Sequence, residues 1–194
     1  LGDIKSVLES KAAGVGLFRT EFLFMNRDDL PGEEEQFETY KSIALSMKSM
    51  PVVIRTLDSG ADKATAADTI QATNPALGLR AIRLCLSHPH FFLIQLKAIL
   101  RASAFGNIKI LIPMLSSLGE LKQVKMLIKR AKDNLLSDAI NFDKNIEVGG
   151  MIEIPAVAIN AEAFARELDF LSIGTNDLIQ YTLAIDRTDD SVSH

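Results

Sequence analysis

The sequence contains very little cysteine and no long apolar run. Cys85 is the single cysteine among 194 residues, which excludes an internal disulfide and a zinc site built from several thiolates. Its place in a helical pattern predicts a buried, inert thiol, and a lone thiol suits a reducing compartment, so we expect a cytoplasmic protein. No segment approaches the length of a membrane span, and the first residues lack the features of a signal peptide. We therefore expect no contact with a membrane.

Positive charge is also scarce. The chain carries 21 lysines and arginines against 25 aspartates and glutamates, which gives a net charge of −4. This balance argues against a nucleic-acid binder, so a bound anion would have to meet a local cluster of arginines. The histidines, His88, His90 and His194, lack the spacing to a carboxylate partner that a metal site needs.

Five short apolar runs are spread along the chain, and most of them end on a polar side chain. Two runs end on Arg19 and Arg55, two end on Glu153 and on Asn176 with Asp177, and the run over residues 108–114 ends on neutral residues. Segments with helical spacing separate the runs. This alternation predicts an α/β protein with a parallel sheet, in which the polar residues at the strand ends meet at one rim.

Five strands are too few to close a barrel, since a (β/α)8 barrel usually needs about 250 residues. Two folds stay open: a doubly wound open sheet, or a piece of a longer barrel. The chain begins inside a helical pattern and stops directly after a polar loop, which favours the piece of a barrel. We expect residues 1–194 to form a single fragment of one barrel domain.

Arginines and carboxylates at one rim predict a site for an anion together with a divalent metal. A guanidinium offers a planar fork of donors that matches two phosphate oxygens, whereas hard cations such as Mg²⁺ prefer carboxylates and ligand oxygens. The candidates are Arg19, Arg55 and Arg187 for the anion, Asn176 as a neutral donor, and Glu153 and Asp177 for the metal. Arg80 and Lys63 extend the positive set. Alternatively, the carboxylates only neutralise arginines, and Arg80 and Lys63 are solvated surface side chains.

Several segments carry a resemblance to a known family. They are residues 16–24 (GLFRTEFLF), 55–58 (RTLD), 74–83 (NPALGLRAIR), 174–182 (GTNDLIQYT) and 184–187 (AIDR). Over nearly all its length the chain resembles the phosphoenolpyruvate-binding domain of the Enzyme I family, the phosphoenolpyruvate-protein phosphotransferases of the bacterial sugar phosphotransferase system. The resemblance implies a partial (β/α)8 TIM barrel with strands two to six of eight, which binds phosphoenolpyruvate and Mg²⁺ at the strand carboxyl ends.

The resemblance also implies a role for each matching residue. Phosphate and carboxylate contacts fall to Arg19, Arg55 and Arg187, with Asn176 and Asp177 bordering the substrate, and Glu153 and Asp177 hold Mg²⁺. Arg80 and Lys63 stabilise charge on the enolate side of the reaction. The segment Ser59-Gly60-Ala61 departs from the family's paired glycines, which bears on how Lys63 is placed.

Two functional groups of the family have no match in this chain. The phosphate-accepting histidine belongs to a separate N-terminal domain, and the proton-donating cysteine lies in a later Gly-Met-Cys-Gly-Glu strand, so Cys85 does not inherit its role. The implied reaction passes a phosphoryl group from phosphoenolpyruvate through the enzyme histidine to a phosphocarrier protein. We expect a homodimer, and we expect the fragment alone to be inactive.

Other functions fit the same residues. A pyruvate phosphate dikinase or phosphoenolpyruvate synthase barrel would use the same cations with a nucleotide-binding partner domain. A nitrogen-regulatory paralogue of Enzyme I would differ by an upstream sensory domain. A non-catalytic alternative is a dimerisation platform, because an incomplete barrel exposes apolar edges that seek a partner.

Overall fold

Five parallel strands form one sheet that curls into a half-barrel with helices along it. The structure is a computed structural model and describes residues 6, 7, 9–25, 27, 29–59, 74–186, 189 and 191. The strands follow one another across the sheet in chain order: β1 (Val15–Arg19), β2 (Val52–Arg55), β3 (Ile108–Ile112), β4 (Val148–Ile152) and β5 (Phe170–Ile173). This arrangement confirms the prediction of an α/β partial barrel.

Helices connect the strands, as parallel pairing requires. They are α1 (Glu33–Met47), α2 (Ala81–Ser87), α3 (Pro89–Ala102), α4 (Leu118–Ser137), α5 (Pro155–Ile159), α6 (Ala161–Ala165) and α7 (Thr175–Leu183). Local sequence signals start several of them. Proline occupies the first turn of α3 and α5, and the Ser117 hydroxyl accepts a hydrogen bond from the Glu120 N–H at the start of α4.

The core lies between the sheet and the helices on its outer side. Ile54 of β2 and Ile110 of β3 are fully buried, together with Tyr40 and Met47 of α1 and Phe92 of α3. Central parallel strands are covered on both faces, so their sequences read as continuous apolar runs. The helices bury one stripe each and leave their charged residues outside. This packing holds the strand ends in a fixed order at the rim.

Two further features lie away from the rim. Cys85 is fully buried in α2, and burial raises the pKa of its thiol to about 12, which confirms the prediction of a buried thiol. Among the residues that the structure describes, none of the helices combines the length and apolar character needed to cross a membrane.

Some element boundaries differ from the expected ones. The third strand, predicted over residues 108–114, ends at Ile112 because Met114 adopts a left-handed backbone with φ 56°. The connection after β4 forms two short helices, α5 and α6, because Asn160 between them has φ −106° and ψ 27° and so leaves the helical conformation. The helix expected at the start of the chain lies partly outside the described residues.

Candidate active site

A cavity of about 640 Å³ opens at the carboxyl ends of the strands. Its lining includes the predicted residues Arg19, Arg55, Arg80, Glu153, Asn176 and Asp177, together with Glu21 and Asp58. The strand ends thus bring together residues that are up to 158 positions apart in the sequence, from Arg19 to Asp177. The other two candidates, Lys63 and Arg187, lie outside the described residues.

Two arginines end neighbouring strands side by side. Arg19 of β1 is in register with Arg55 of β2, and neighbouring strands are about 4.8 Å apart. Arg19 is exposed and makes no ion pair with any residue that the structure describes. Arg55 is buried, and its Nη2 donates to Glu21 Oε1 at 3.1 Å while its Nη1 lies 2.8 Å from Asp58 Oδ2. The Arg19 guanidinium is thus open to a ligand, whereas the Arg55 guanidinium is held in place by its two carboxylate partners.

Asp58 connects two of the three arginines. Its Oδ1 accepts a hydrogen bond from Arg80 Nη2 at 2.9 Å, so one carboxylate binds the guanidinium groups of both Arg55 and Arg80. Burial alone would lower the pKa of Arg80, but the Asp58 carboxylate outweighs it and the net pKa is raised. Arg80 therefore stays charged within the rim.

Glu21 contacts both Arg55 and Asp58. Besides pairing with Arg55, its Oε1 accepts the Asp58 N–H at 2.9 Å. The Arg55 Nε and the Glu21 Oε2 are both buried without a hydrogen-bond partner in the described part of the chain. Buried polar atoms in native proteins nearly always have partners, including waters and ligands. The two atoms indicate that a polar ligand or ordered water completes this side of the cavity.

Three carboxylates gather beside the arginines. Asp58, Glu153 and Asp177 each present an oxygen such that all three oxygens lie within 4.8 Å of one another. Glu153 is only 1% exposed. Burial raises its pKa from 4.5 to about 7, opposed by a hydrogen bond from Met114 N–H, while Asp58 and Asp177 raise it further. Like charges this close and this buried are costly unless a cation or a proton joins them.

The backbone is shaped to hold Glu153 there. The left-handed conformation of Met114 directs its N–H to Glu153 Oε1 at 2.6 Å, and such a conformation is costly for a residue with a side chain. On the other side, a Cβ at Gly174 would lie 2.5 Å from Glu153 Oε2. Glycine at position 174 therefore leaves the room that the Glu153 carboxylate needs. Helix α7 starts directly after this glycine and has Asp177 in its first turn.

The carboxylates suit a divalent cation. Mg²⁺ takes one or two protein carboxylates and completes its shell with substrate oxygens and waters. Asp58 already binds two guanidinium groups, so Glu153 and Asp177 are the better candidates. Asp58 is the residue that neutralises arginines, whereas Glu153 accepts a main-chain hydrogen bond. The alternative of simple charge neutralisation therefore describes Asp58 better than Glu153.

Sequence reasoning missed Glu21 and Asp58. Both lie within the motifs that follow the arginines, in Arg19-Thr20-Glu21 and Arg55-Thr56-Leu57-Asp58. The short distance from each arginine was a usable signal, because two or three residues past a strand end still lie at the same rim. The sequence does not show which carboxylate pairs with which arginine, because the pairing depends on how the two strand ends face each other.

Comparison with known proteins shows the family to which the chain belongs. The chain matches the family of PEP-utilising enzymes, PEP-binding domain, over residues 1–194, and it belongs to that family. The half-barrel with arginines and carboxylates at its rim is thus a phosphoenolpyruvate-binding domain of this family.

Individual relatives of the chain have a more specific name than the family. The phosphoenolpyruvate-protein phosphotransferase of Priestia megaterium is 51% identical over 193 residues, which are 99% of this chain and 34% of that protein. The protein of the same name from Cupriavidus necator is 55% identical over 196 residues, covering 99% of this chain and 33% of that protein. The Bacillus subtilis protein of that name is 49% identical over 193 residues. The chain spans about a third of the length of these relatives.

Proposed function

We propose that this chain is the substrate-binding part of a phosphoenolpyruvate-protein phosphotransferase, and that its cavity binds phosphoenolpyruvate together with Mg²⁺. The observation that carries the proposal is that one cavity contains both kinds of charge. Its lining includes the guanidinium groups of Arg19, Arg55 and Arg80 together with the carboxylates of Glu153 and Asp177. A trianionic ligand that carries its own metal matches both kinds of charge at once.

Each arginine has a different role in binding the anion. Arg19 has the exposed guanidinium, so it is the residue best placed to close a bidentate contact with phosphate oxygens. Arg55 offers its buried Nε, which lacks a partner in the described part of the chain, while Glu21 and Asp58 fix its orientation. Arg80 stabilises the negative charge that develops on the enolate oxygen, because a preplaced cation in a buried site needs no reorganisation during the reaction. Asn176 donates to a remaining ligand oxygen.

Glu153 and Asp177 hold the metal in this proposal. When bound, Mg²⁺ supplies Lewis acidity and orients the phosphate and carboxylate of the substrate. Glu153 must lose its proton on binding, which its pKa near 7 permits at neutral pH. Asp58 stays with the arginines and holds them beside the metal ligands.

The proposal extends to the whole protein. The P–O bond of phosphoenolpyruvate breaks, the phosphoryl group forms a bond to a ring nitrogen of an enzyme histidine, and the enolate takes up a proton to give pyruvate. The phosphoryl group then passes to a phosphocarrier protein in sugar uptake, and the enzyme works as a homodimer. Neither the accepting histidine nor the proton donor is assigned to a residue of this chain. Lys63 and Arg187 keep their proposed roles beside the enolate and the anion.

Among the alternatives, the names of the relatives favour a phosphoenolpyruvate-protein phosphotransferase over a dikinase or a synthase. The dimerisation platform is compatible with the proposal, because a substrate site and a subunit interface can occupy one domain.

Calorimetric titration of the full-length protein with phosphoenolpyruvate tests the proposal, with Mg²⁺ present and with chelator. Arg19→Ala removes a guanidinium without breaking any described ion pair, so we expect at least about a tenfold loss of affinity, the value of a lost charge-assisted contact. Arg166→Ala is the matched control, since Arg166 is exposed on the far end of α6 and pairs only with Glu162 among the described residues. Equal affinity of the Arg19 variant and the unsubstituted protein, or binding that ignores Mg²⁺, would contradict the proposal.

A further inference from the structure

A row of buried polar side chains lies behind the cavity, between the ends of β1 and β2 and the helices. Its members are Thr20, which follows β1, Gln36 and Tyr40 of α1, and Gln95 of α3, and each is 0% exposed. None of them lines the cavity. Buried amides and hydroxyls are costly unless paired, so their contacts show what they hold.

The contacts run from helix to helix. Gln95 Nε2 donates to the Thr20 hydroxyl and to the Tyr40 hydroxyl, each at 3.3 Å. The Tyr40 hydroxyl in turn donates to Gln36 Oε1 at 3.1 Å, and Gln36 Nε2 donates to the Pro31 carbonyl at 2.9 Å. Gln95 is therefore the junction between the two helices and the end of β1.

The same junction reaches the main chain that carries the cavity residues. Leu57 N–H donates to Gln95 Oε1 at 2.9 Å, and the Thr20 hydroxyl donates to the Arg55 carbonyl at 3.0 Å. Strand β2 ends at Arg55, so Leu57 lies beyond the regular ladder and takes a side-chain acceptor instead. Thr20 and Gln95 thus hold both ends of the segment 55–57 from behind.

Glu21 holds the next residue from the cavity side through the Asp58 N–H. The segment 55–58 is consequently held on both faces by side chains, and its two charged residues, Arg55 and Asp58, lie 2.8 Å apart in their ion pair. The last main-chain bond to the sheet is made by Thr56, whose N–H donates to the Leu111 carbonyl of β3 at 3.0 Å. A small turn of the segment about this point would move both the guanidinium and the carboxylate.

We propose that Gln95 and Thr20 are positioning residues for the substrate site, which set the backbone of residues 55–58 and through it the Arg55–Asp58–Arg80 group. This inference rests on the proposed function for its ligand readout. Neither residue touches the cavity, so their effect passes through the main chain alone. An apolar residue of similar size at position 95 would fill the same space but leave the Leu57 N–H without its acceptor.

The test compares Gln95→Met with Gln36→Met in the full-length protein. Both remove a fully buried glutamine at nearly constant volume, but only Gln95 contacts residues 55–58. We expect Gln95→Met to speed amide hydrogen exchange of Leu57 about tenfold and to weaken phosphoenolpyruvate binding in Mg²⁺ about tenfold, the effect of one lost buried hydrogen bond. Gln36→Met should lower the melting temperature while leaving the affinity within about twofold.

A second pair of variants keeps the test decisive if Gln95→Met folds poorly. Thr20→Val removes the hydroxyl with little change of shape and should reproduce the loss of affinity, whereas Thr20→Ser keeps the hydroxyl and should restore it. Unchanged exchange at residues 55–58 in Gln95→Met and Thr20→Val would overturn the inference, as would an equal loss of affinity in Gln36→Met. If the unsubstituted protein does not bind phosphoenolpyruvate, the proposed function fails, and the exchange data still decide whether Gln95 and Thr20 hold this segment.

Discussion

The buried carboxyl of Glu153 should destabilise the metal-free protein above neutral pH, and Glu153→Gln should remove that cost. The amide keeps the size of the side chain and the acceptor for the Met114 N–H at 2.6 Å. Its NH2 group faces the Asp58 and Asp177 carboxylates, which cluster with Glu153. The substitution therefore replaces a repelled charge by a hydrogen-bond donor in a group of acceptors.

The size of this stability cost follows from the pKa of Glu153. Burial raises the pKa of Glu153 from 4.5 to about 7, and each pKa unit corresponds to about 1.4 kcal/mol, so the cost reaches at most about 3 kcal/mol. Below pH 4.5 the side chain is protonated in the folded and unfolded states alike, and the cost is absent. It grows as pH rises, because the unfolded chain releases the proton first, and it is complete above about pH 7.

Urea unfolding with chelator, from pH 4 to pH 8, measures this difference. The gain in free energy of unfolding for Glu153→Gln over the unsubstituted protein should be near zero at the acid end and rise toward about 3 kcal/mol at the alkaline end. Added Mg²⁺ should stabilise the unsubstituted protein and leave the variant unchanged.

Glu167→Gln is the matched control. Glu167 is exposed and pairs with Lys125 at 2.7 Å, and this hydrogen bond lowers the pKa of its carboxyl. Its removal should change stability little and with the opposite sign. A Glu153→Gln variant that is less stable than the unsubstituted protein at pH 8, or a difference that does not vary with pH, would refute the reasoning.

Two further predictions concern the same rim. Gly174→Ala places a Cβ 2.5 Å from Glu153 Oε2, so urea unfolding should show a loss of about 1–3 kcal/mol, and the Mg²⁺-dependent stabilisation should shrink; a variant as stable as the unsubstituted protein would contradict this. Asp58→Asn leaves Arg55 and Arg80 without their shared carboxylate, and the loss of a largely buried partner should cost about 3 kcal/mol in the same assay. Retained phosphoenolpyruvate affinity in this variant would show that Asp58 does not position the arginines.

The sheet and its polar rim were predictable because they depend on local patterns. Buried parallel strands require unbroken apolar runs, and those runs stop where the strand leaves the core. Arg19 and Arg55 end such runs and Glu153 directly follows one. Asp177 lies a few residues further on, in the first turn of the helix after β5. Their meeting at one cavity required only that the strands be parallel and ordered along the chain, which the intervening helices made probable.

Other features depend on contacts between distant segments. The left-handed Met114 follows no sequence rule, since it is neither glycine nor asparagine, and its conformation serves a hydrogen bond to Glu153 thirty-nine positions away. Gln95 lies in the buried stripe of α3, where a sequence alone shows only a polar residue at an apolar position. Its partners Thr20 and Leu57 come from two different strand ends, so the role becomes visible only when the fold places them together.

The charge balance of the cavity explains why anion and cation should bind as a pair. Its described lining contains three cationic and four acidic side chains: Arg19, Arg55, Arg80, Glu21, Asp58, Glu153 and Asp177. A cation alone would approach the arginines, and an anion alone would approach the carboxylates. Under the proposed function a metal-bound anion would avoid both costs, because the carboxylates would attract its metal and the guanidinium groups its phosphate. Side chains that neutralise one another without a ligand would then bind the two opposite charges of a metal-bound anion.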